Sequence, residues 1–591
     1  MSQLRLAVVF PGAASLGSYE AGAAFELARW ALMARQISTD EPPLIVDVVV
    51  GSSAGAITGA LLSHILLTDG DPSWLYHAWV THPHLSELML VSELNGVLSM
   101  RRLRELAEEL LSQPNEPSDG RNMTVRYVAT LTNLTPLNYR IPVLGGRALI
   151  ASTHRDWKAM LLTFSGAQTP YGMHPWRYVA DVALASGAFP AIFPAQRLRR
   201  GAWEYIANHV WLDASDDEIV EFDFTDGGVM HNKPIAMAFD ALYEPHHIGL
   251  VDQKPIDDSE AVRLVVIVSP REQPPRPTRV TKRPQPLMLD VLTGILSARF
   301  NVNDVFDDLR GAQKLNSRLR WKTLLLERMH AWLSDDPDAA RRLANTLSDT
   351  LTHINGDMRL IRMQRDGMER AIGTAVSSEE RNSQRSQCEM NEHHAPNDAH
   401  TYGSQSDLHM DSPSECGMHS YVDDAINLLN AVLDRISGTT GKREVRIEVV
   451  SPLLLSELGL PEELLCGEAM GHFAGFLSRR FRENDFRVGT ECMRRWLLEL
   501  EEVDGVLRKR MLEEHKVTVR VWGAKVERKN GKVVPLRDRV PFGEITLAPI
   551  LRDIGKGGRY TLGMRFCVLM LALRAAFVLL IGAIRFILRR L

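Results

Sequence analysis

Cysteine is scarce: five residues in 591, all in the carboxy-terminal half (Cys388, Cys416, Cys466, Cys492, Cys567) and without regular spacing. An odd, sparse set excludes a disulfide framework and fits a reducing compartment. A strong charge of one sign is also missing. The formal net charge is −5, so the chain lacks the basic field of a dedicated nucleic-acid binder. No long hydrophobic run opens the chain. Leu4 to Phe10 is too short for a signal peptide and no small-residue cleavage site follows, so the segment is expected to be the first strand of a folded domain. What is present is a globular balance, 45% hydrophobic and 24% charged, over a length that allows about two to four domains.

The most informative stretch is Gly51-Ser52-Ser53-Ala54-Gly55. Before it, Ile45 to Val50 is β-branched except for Asp47, the pattern of a strand buried on both faces. After it, Ala56 to Leu62 has the character of a helix start. A Gly-x-Ser-x-Gly on such a turn is a nucleophile elbow: Gly51 and Gly55 keep Cβ atoms out of a tight bend. The strained Ser53 then presents its hydroxyl at a helix amino end. A plain structural turn of small residues is the competing reading.

Serine needs a base and a stabilised oxyanion. The loop Gly12-Ala13-Ala14 follows the Leu4–Phe10 strand and precedes a helix running to about Arg35. It is placed to aim backbone N–H groups at a common point, and the N–H of Ala54 is a further donor. For the base, Asp226 stands in Phe224-Thr225-Asp226-Gly227-Gly228. Phe222 and Phe224 alternate with acids like a strand end, and Gly227-Gly228 supply a turn that aims a carboxylate. The same residues equally suit an Asp capping local N–H groups.

Further strands are expected at Thr124–Thr132 and Val262–Val268. With the intervening helices they imply an α/β fold: a three-layer α/β/α catalytic domain with a largely parallel sheet, over residues 1–270. A Pro- and Arg-rich connector and a helical extension occupy 271–372. Residues 373–420 are polar and poor in aliphatics, the composition of a disordered linker. Its His393, His394, His400, His409 and His419, with Cys388 and Cys416, lack zinc-ligand spacing. A mainly helical α+β region is expected over 421–550, with a strand at Val445–Val450 and a hairpin in Val517–Val534 turning at Asn530-Gly531.

From Arg552 to Leu591 eight basic residues stand against one acid, Asp553, around the apolar Phe566–Leu588. A central Arg costs about 2.5–3.5 kcal/mol in a bilayer, and each Leu, Ile, Phe or Val returns about 0.3–0.6. Arg574 and Arg585 fall on one helical face, so 551–591 is expected to be a basic tail that associates with a membrane surface or bilayer.

The loop, the elbow and the Asp-Gly-Gly, in this order, resemble the patatin-like phospholipase family. So does Ala185-Ser186-Gly187-Ala188-Phe189-Pro190-Ala191-Ile192-Phe193-Pro194. Gly471 to Phe486 (GHFAGFLSRRFRENDF) is similar to the carboxy-terminal region of larger bacterial patatin-related proteins. The resemblance implies a Ser–Asp dyad without a catalytic histidine, cleaving lipid acyl esters through an acyl-enzyme. Ser53 would be the nucleophile, Asp226 the base, and the loop from Gly12 to Gly17 the oxyanion hole. The family pattern there is Gly-Gly-Gly-x-Arg/Lys-Gly, whereas this chain has Gly12-Ala13-Ala14-Ser15-Leu16-Gly17. Two other readings follow: a non-catalytic membrane scaffold, motivated by Ala13 and Ala14, and a Ser-Asp-His esterase using His231, His246 or His247. The proposed chemistry requires no metal or cofactor. Membrane lipids as substrate, no nucleic-acid partner and a cytoplasmic, membrane-associated location complete the expectation.

Overall fold

The computed structural model describes residues 3–82, 88, 98–111, 123–142, 148–167, 173–190, 192–206, 210–256, 261–270, 272, 305–336, 338–349, 415–437, 439, 442–457, 464–467, 474–522, 528–529 and 532–533. The chain divides into two compact units, residues 1–312 with 445–591, and residues 313–444.

The first unit is built on a nine-stranded sheet of β1 (Gln3–Phe10), β2 (Leu44–Gly51), β3 (Val125–Pro142), β4 (Ala148–Thr163), β5 (Gly166–Ala167), β6 (Gln196–Gly201), β7 (Ile219–Asp226), β8 (Ala261–Val268) and β9 (Arg446–Val450). The order is β5-β4-β3-β2-β1-β8-β9, with β7 joined to β3 and β6. Pairings from β3 through β2, β1 and β8 to β9 are parallel. Those among β3, β4, β5, β6 and β7 are antiparallel.

A parallel core needs cover on both faces, and the residues supply it by alternation. Leu4, Leu6, Val8 and Phe10 enter the core shared with helices α1 (Gly17–Ile37), α2 (Ala54–Thr68), α3 (Arg101–Leu111) and α4 (Pro175–Ser186). Ala7 and Val9 enter the opposite core, beneath α5 (Ile235–Tyr243). The result is the expected three-layer α/β/α arrangement with a mixed, mostly parallel sheet. Asp47, the charge inside the β2 run, is matched across the sheet by Arg263 at 2.5 Å and Arg5 at 3.3 Å.

The sequence set 421–550 apart as a carboxy-terminal region, but residues from 445 onward belong to the same compact unit as the amino-terminal residues. Two contacts explain this. Strand β9 continues the parallel sheet beside β8. Helix α6 (Arg479–Glu499) crosses α1 where two glycines let the backbones touch. A Cβ on Gly22 would stand 1.9 Å from the Phe486 carbonyl oxygen, and one on Gly489 would stand 1.9 Å from that of Tyr19.

The Val517–Val534 hairpin is shorter than expected. Leu507 and Met511, four residues apart, pack into the core and carry a helix over Gly505–Trp522, past the β-branched Val517, Thr518 and Val519. Packing of one apolar face outweighs local β-propensity there. Antiparallel pairing is confined, among the described residues, to Arg528–Lys529 with Lys532–Val533, flanking Asn530-Gly531.

The second unit is helical. Val305–Asp335, residues 338–349 and Glu415–Ser437 are helices. Leu333, Ala339, Ala340, Val422 and Ala425 make their core, and Lys322 pairs with Asp434 at 2.7 Å. Of the stretch 373–420 expected to be disordered, residues 373–414 lie outside the described residues, as does the tail 551–591, whereas 415–420 open the helix Glu415–Ser437. Among the described residues no helix is long and apolar enough to cross a membrane.

Candidate active site

Ser53 and Asp226 are 173 positions apart and meet because of one strand edge. Strand β2 ends at Gly51 opposite Ala129 of β3, and β7 ends at Asp226 opposite Leu131. The two run toward each other along that edge and leave a gap of about two residues, roughly 7 Å. The elbow fills it. The Ser53 hydroxyl donates to Asp226 Oδ2 at 2.5 Å, and both residues are buried, at 8% and 2% exposure.

The bend is tight enough to force Ser53 to φ 54°, ψ −124°, a region that costs a non-glycine residue about 1–3 kcal/mol. Its neighbours cannot carry side chains without displacing backbone. A Cβ on Gly55 would stand 2.2 Å from the Phe10 carbonyl oxygen, and one on Gly51 would stand 2.5 Å from that of Gly55. Ala54 is the first residue of α2, so its N–H has no intrahelical acceptor and points out of the helix start.

The segment Ala185–Pro194 ties both residues in place. Ser186 Oγ accepts the Ser53 N–H at 2.8 Å, and the Ala188 carbonyl accepts the Asp226 N–H at 2.9 Å. The Asp226 carbonyl accepts from Thr132 Oγ1 at 2.8 Å, and its Oδ1 accepts the Gly228 N–H at 2.6 Å. Gly227 lies so close to Thr130 that a Cβ there would stand 2.2 Å from the Thr130 carbonyl oxygen. The carboxylate thus fills both roles weighed in the sequence: it caps the Gly228 turn with one oxygen and accepts the serine proton donor with the other.

The amino-terminal loop lies beside the elbow because β1 and β2 are parallel neighbours that end together, Phe10 opposite Gly51. Gly12 departs from its expected role. Its N–H donates to the Asn232 carbonyl at 3.0 Å and is already engaged, which leaves Ala13, Ala14 and Ala54 as the candidate donors. Gly12 instead gives room: a Cβ there would stand 2.2 Å from Asn232 Oδ1 and 3.2 Å from Ser53 Cβ. Ala14 takes φ 50°, the left-handed conformation usual for glycine. Leu16, where the family has a basic residue, is completely buried. An unpartnered cation there would be costly. Gly17 begins α1 against the Trp79 ring.

From this point an apolar cavity runs inward. Ala14, Ser53, Ala54, Ile57 and Leu61 line it on the side of the loop and elbow. Leu103, Leu106 and Leu110 line it from α3, with Phe189 and Phe193 from the Ala185–Pro194 segment. Among the described residues, Ser53 supplies the only side-chain hydroxyl in its wall. A pocket of that composition suits a hydrocarbon chain.

The three histidines considered for a triad lie elsewhere. His231 is buried with neither ring nitrogen hydrogen-bonded, its Nε2 3.5 Å from Asp308. His247 Nδ1 sits 3.2 Å from Glu244, and His246 stacks edge-on against His247. Asp240, Glu244 and His247 bring ligand atoms within 4.8 Å of one another, but this group is outside the Ser53 cavity. Ser186, Thr132 and Asn232 escaped the sequence reading as site residues, although Ser186 stands in a motif quoted there.

Residues 8–239 match the family model described as Patatin-like phospholipase. No curated protein matches the chain.

Proposed function

We propose that the chain, whose residues 8–239 match the patatin-like phospholipase family model, a family of lipid acyl hydrolases generally, cleaves acyl esters of membrane lipids through Ser53 and Asp226. One observation carries this reading: a hydroxyl and a carboxylate oxygen 2.5 Å apart at the wall of an otherwise apolar cavity.

In this mechanism the acyl chain lies in the cavity with its ester carbonyl at Ser53. As Ser53 Oγ bonds to the carbonyl carbon, its proton passes to Asp226 Oδ2. The carbonyl oxygen takes the electron pair as an oxyanion facing the N–H groups of Ala13, Ala14 and Ala54 and the amino end of α2. Collapse of the tetrahedral species breaks the ester C–O bond. The leaving alkoxide takes the proton from Asp226, and the acyl group stays on Ser53. Water then repeats the sequence with Asp226 as base, releasing the fatty acid and restoring the serine. The exclusion of water by the leucine-rich wall strengthens every electrostatic step.

Ala14 takes the left-handed bend at φ 50°, so the loop adopts its turn with an alanine in place and the substitution does not by itself call for the scaffold reading. In this proposal the protein works at the membrane face of the cytoplasm, with the basic apolar tail at 551–591 as its membrane contact.

The test is product analysis on mixed lipid vesicles, with fluorophosphonate labelling of the full chain. Wild type is expected to label and to release fatty acid, and Ser53→Ala to lose label and at least about 10^3-fold of turnover. Turnover that survives in a folded Ser53→Ala protein defeats the proposal.

A further inference from the structure

Residues 464–467 and 474–499 lie outside the residues matched by the family model, yet they reach the candidate active site. Three contacts bring them there. The Gly475 N–H donates to Ser15 Oγ at 3.0 Å, so the carboxy-terminal segment holds the loop that carries Ala13 and Ala14. Gly475 has to be glycine, since a Cβ would stand 2.7 Å from that same oxygen. Leu16 is covered from the same side, its Cδ2 within 2.9 Å of where a Cβ on Gly467 would stand. The next residue, Phe476, forms part of the wall of the Ser53 cavity.

Two buried charged side chains fix this short stretch. Arg482, fully buried, donates to the Gly475 carbonyl at 3.1 Å and to the Val80 carbonyl at 3.0 Å. Val80 follows Trp79, itself a wall residue of the cavity. Asp485, also fully buried, accepts the N–H groups of Cys466 and Gly467, each at 2.7 Å. Both charges sit on α6, which is locked to α1 at the Gly22–Gly489 crossing and by Phe486 against Phe25, with Tyr76 packed on the same ring. Desolvating an arginine and an aspartate costs several kcal/mol each, offset only by good hydrogen-bond geometry. Here that geometry is directed at backbone next to the cavity wall.

We propose that residues 464–467 and 474–499 form a specificity element of the active site, with Phe476 setting how long an acyl chain the Ser53 cavity accepts. This rests on the hydrolase reading above and assigns a substrate-selecting role to residues beyond the matched domain. An aromatic ring in an apolar wall limits the space left for methylene groups, and each methylene accommodated or refused is worth about 10- to 200-fold in relative kcat/KM.

The experiment measures kcat/KM of the full chain on p-nitrophenyl esters from butyrate to palmitate, for wild type and the folded variants Phe476→Ala, Phe476→Leu and Phe476→Trp. The palmitate-to-butyrate ratio is expected to rise at least about tenfold in Phe476→Ala and less in Phe476→Leu. In Phe476→Trp it falls below wild type. Any other order, including ratios that stay within about twofold of wild type or loss of turnover in every variant, overturns the proposal. A wild type that neither labels with fluorophosphonate nor cleaves any ester sinks the hydrolase reading itself. A labelled, active wild type with a flat variant series sinks only the role of Phe476.

Discussion

Two bends in this molecule each hold a non-glycine residue at positive φ, Ser53 at 54° and Ala14 at 50°, and they are secured differently. The elbow is fastened from within the matched domain. Ser53 is held by the hydroxyl of Ser186 and the carboxylate of Asp226, both on elements that the same sheet positions. The loop is fastened both from within that domain and from beyond it: Gly12 by the carbonyl of Asn232, and Ser15 by the N–H of Gly475. The difference teaches that a nucleophile and its base can be set by local geometry, whereas this loop depends on residues more than four hundred positions away.

The elbow's grip is chemical, so one atom should matter most there. Asp226→Asn keeps the shape and removes the basic oxygen, and it is expected to lower kcat by about 10^2- to 10^4-fold. The comparison breaks if hydrolysis kinetics show a loss under about tenfold in a protein whose unfolding is unchanged.

The next effect concerns the helix that leaves the elbow. His64 on α2 is fully buried, neither ring nitrogen has a partner, and its ring packs edge-on against Trp176 at 4.4 Å. Burial lowers its pKa to about 4. The unfolded chain therefore binds a proton that the folded one refuses, and stability is lost as pH falls from about 6.5 toward about 4. The expected loss is about 2–3 kcal/mol across that window. Denaturant titrations of His64→Phe at pH 7 and pH 4.5 should show a shallower acid decline than wild type. An identical decline removes His64 as its cause.

The smallest effect belongs to the loop. Ala14→Gly relieves a left-handed alanine worth about 1–2 kcal/mol but adds chain entropy worth about 0.5–1, for a net gain near 0.5 kcal/mol. A measurable loss of stability in urea unfolding would mean that the alanine methyl, which faces the cavity, contributes more packing than the bend costs. That outcome would sharpen the contrast between the two bends.

Much of this was legible in the amino acids. The β-branched runs located β1, β2 and β8, and the glycine spacing located the elbow, because both signals are local. Asp226 was found through its own turn. The antiparallel strand β6 was not legible, since Arg197, Arg199 and Arg200 break the apolar alternation that marks a strand, and Arg200 is buried by pairing with Glu204 and Asp156 and donating to the Trp157 carbonyl. Nor was the contribution of Gly475 and Phe476. Their motif could be recognised as a resemblance, but nothing local in the sequence says that Gly475 packs against Ser15. Asp47 looked like a flaw in a buried strand and proved to be one half of an ion pair whose other members lie on two other strands.

The meeting of β2 and β7 on a single edge of β3 makes that strand a ruler. Ala129 marks where one neighbour stops and Leu131 where the other does, with Thr130 the lone graduation between them. Adding or deleting a residue at that mark would lengthen or shorten the gauge by about 3.3 Å and turn the following side chains to the opposite face. The count of residues along that short rule is set by the length of one oxygen-to-oxygen bridge.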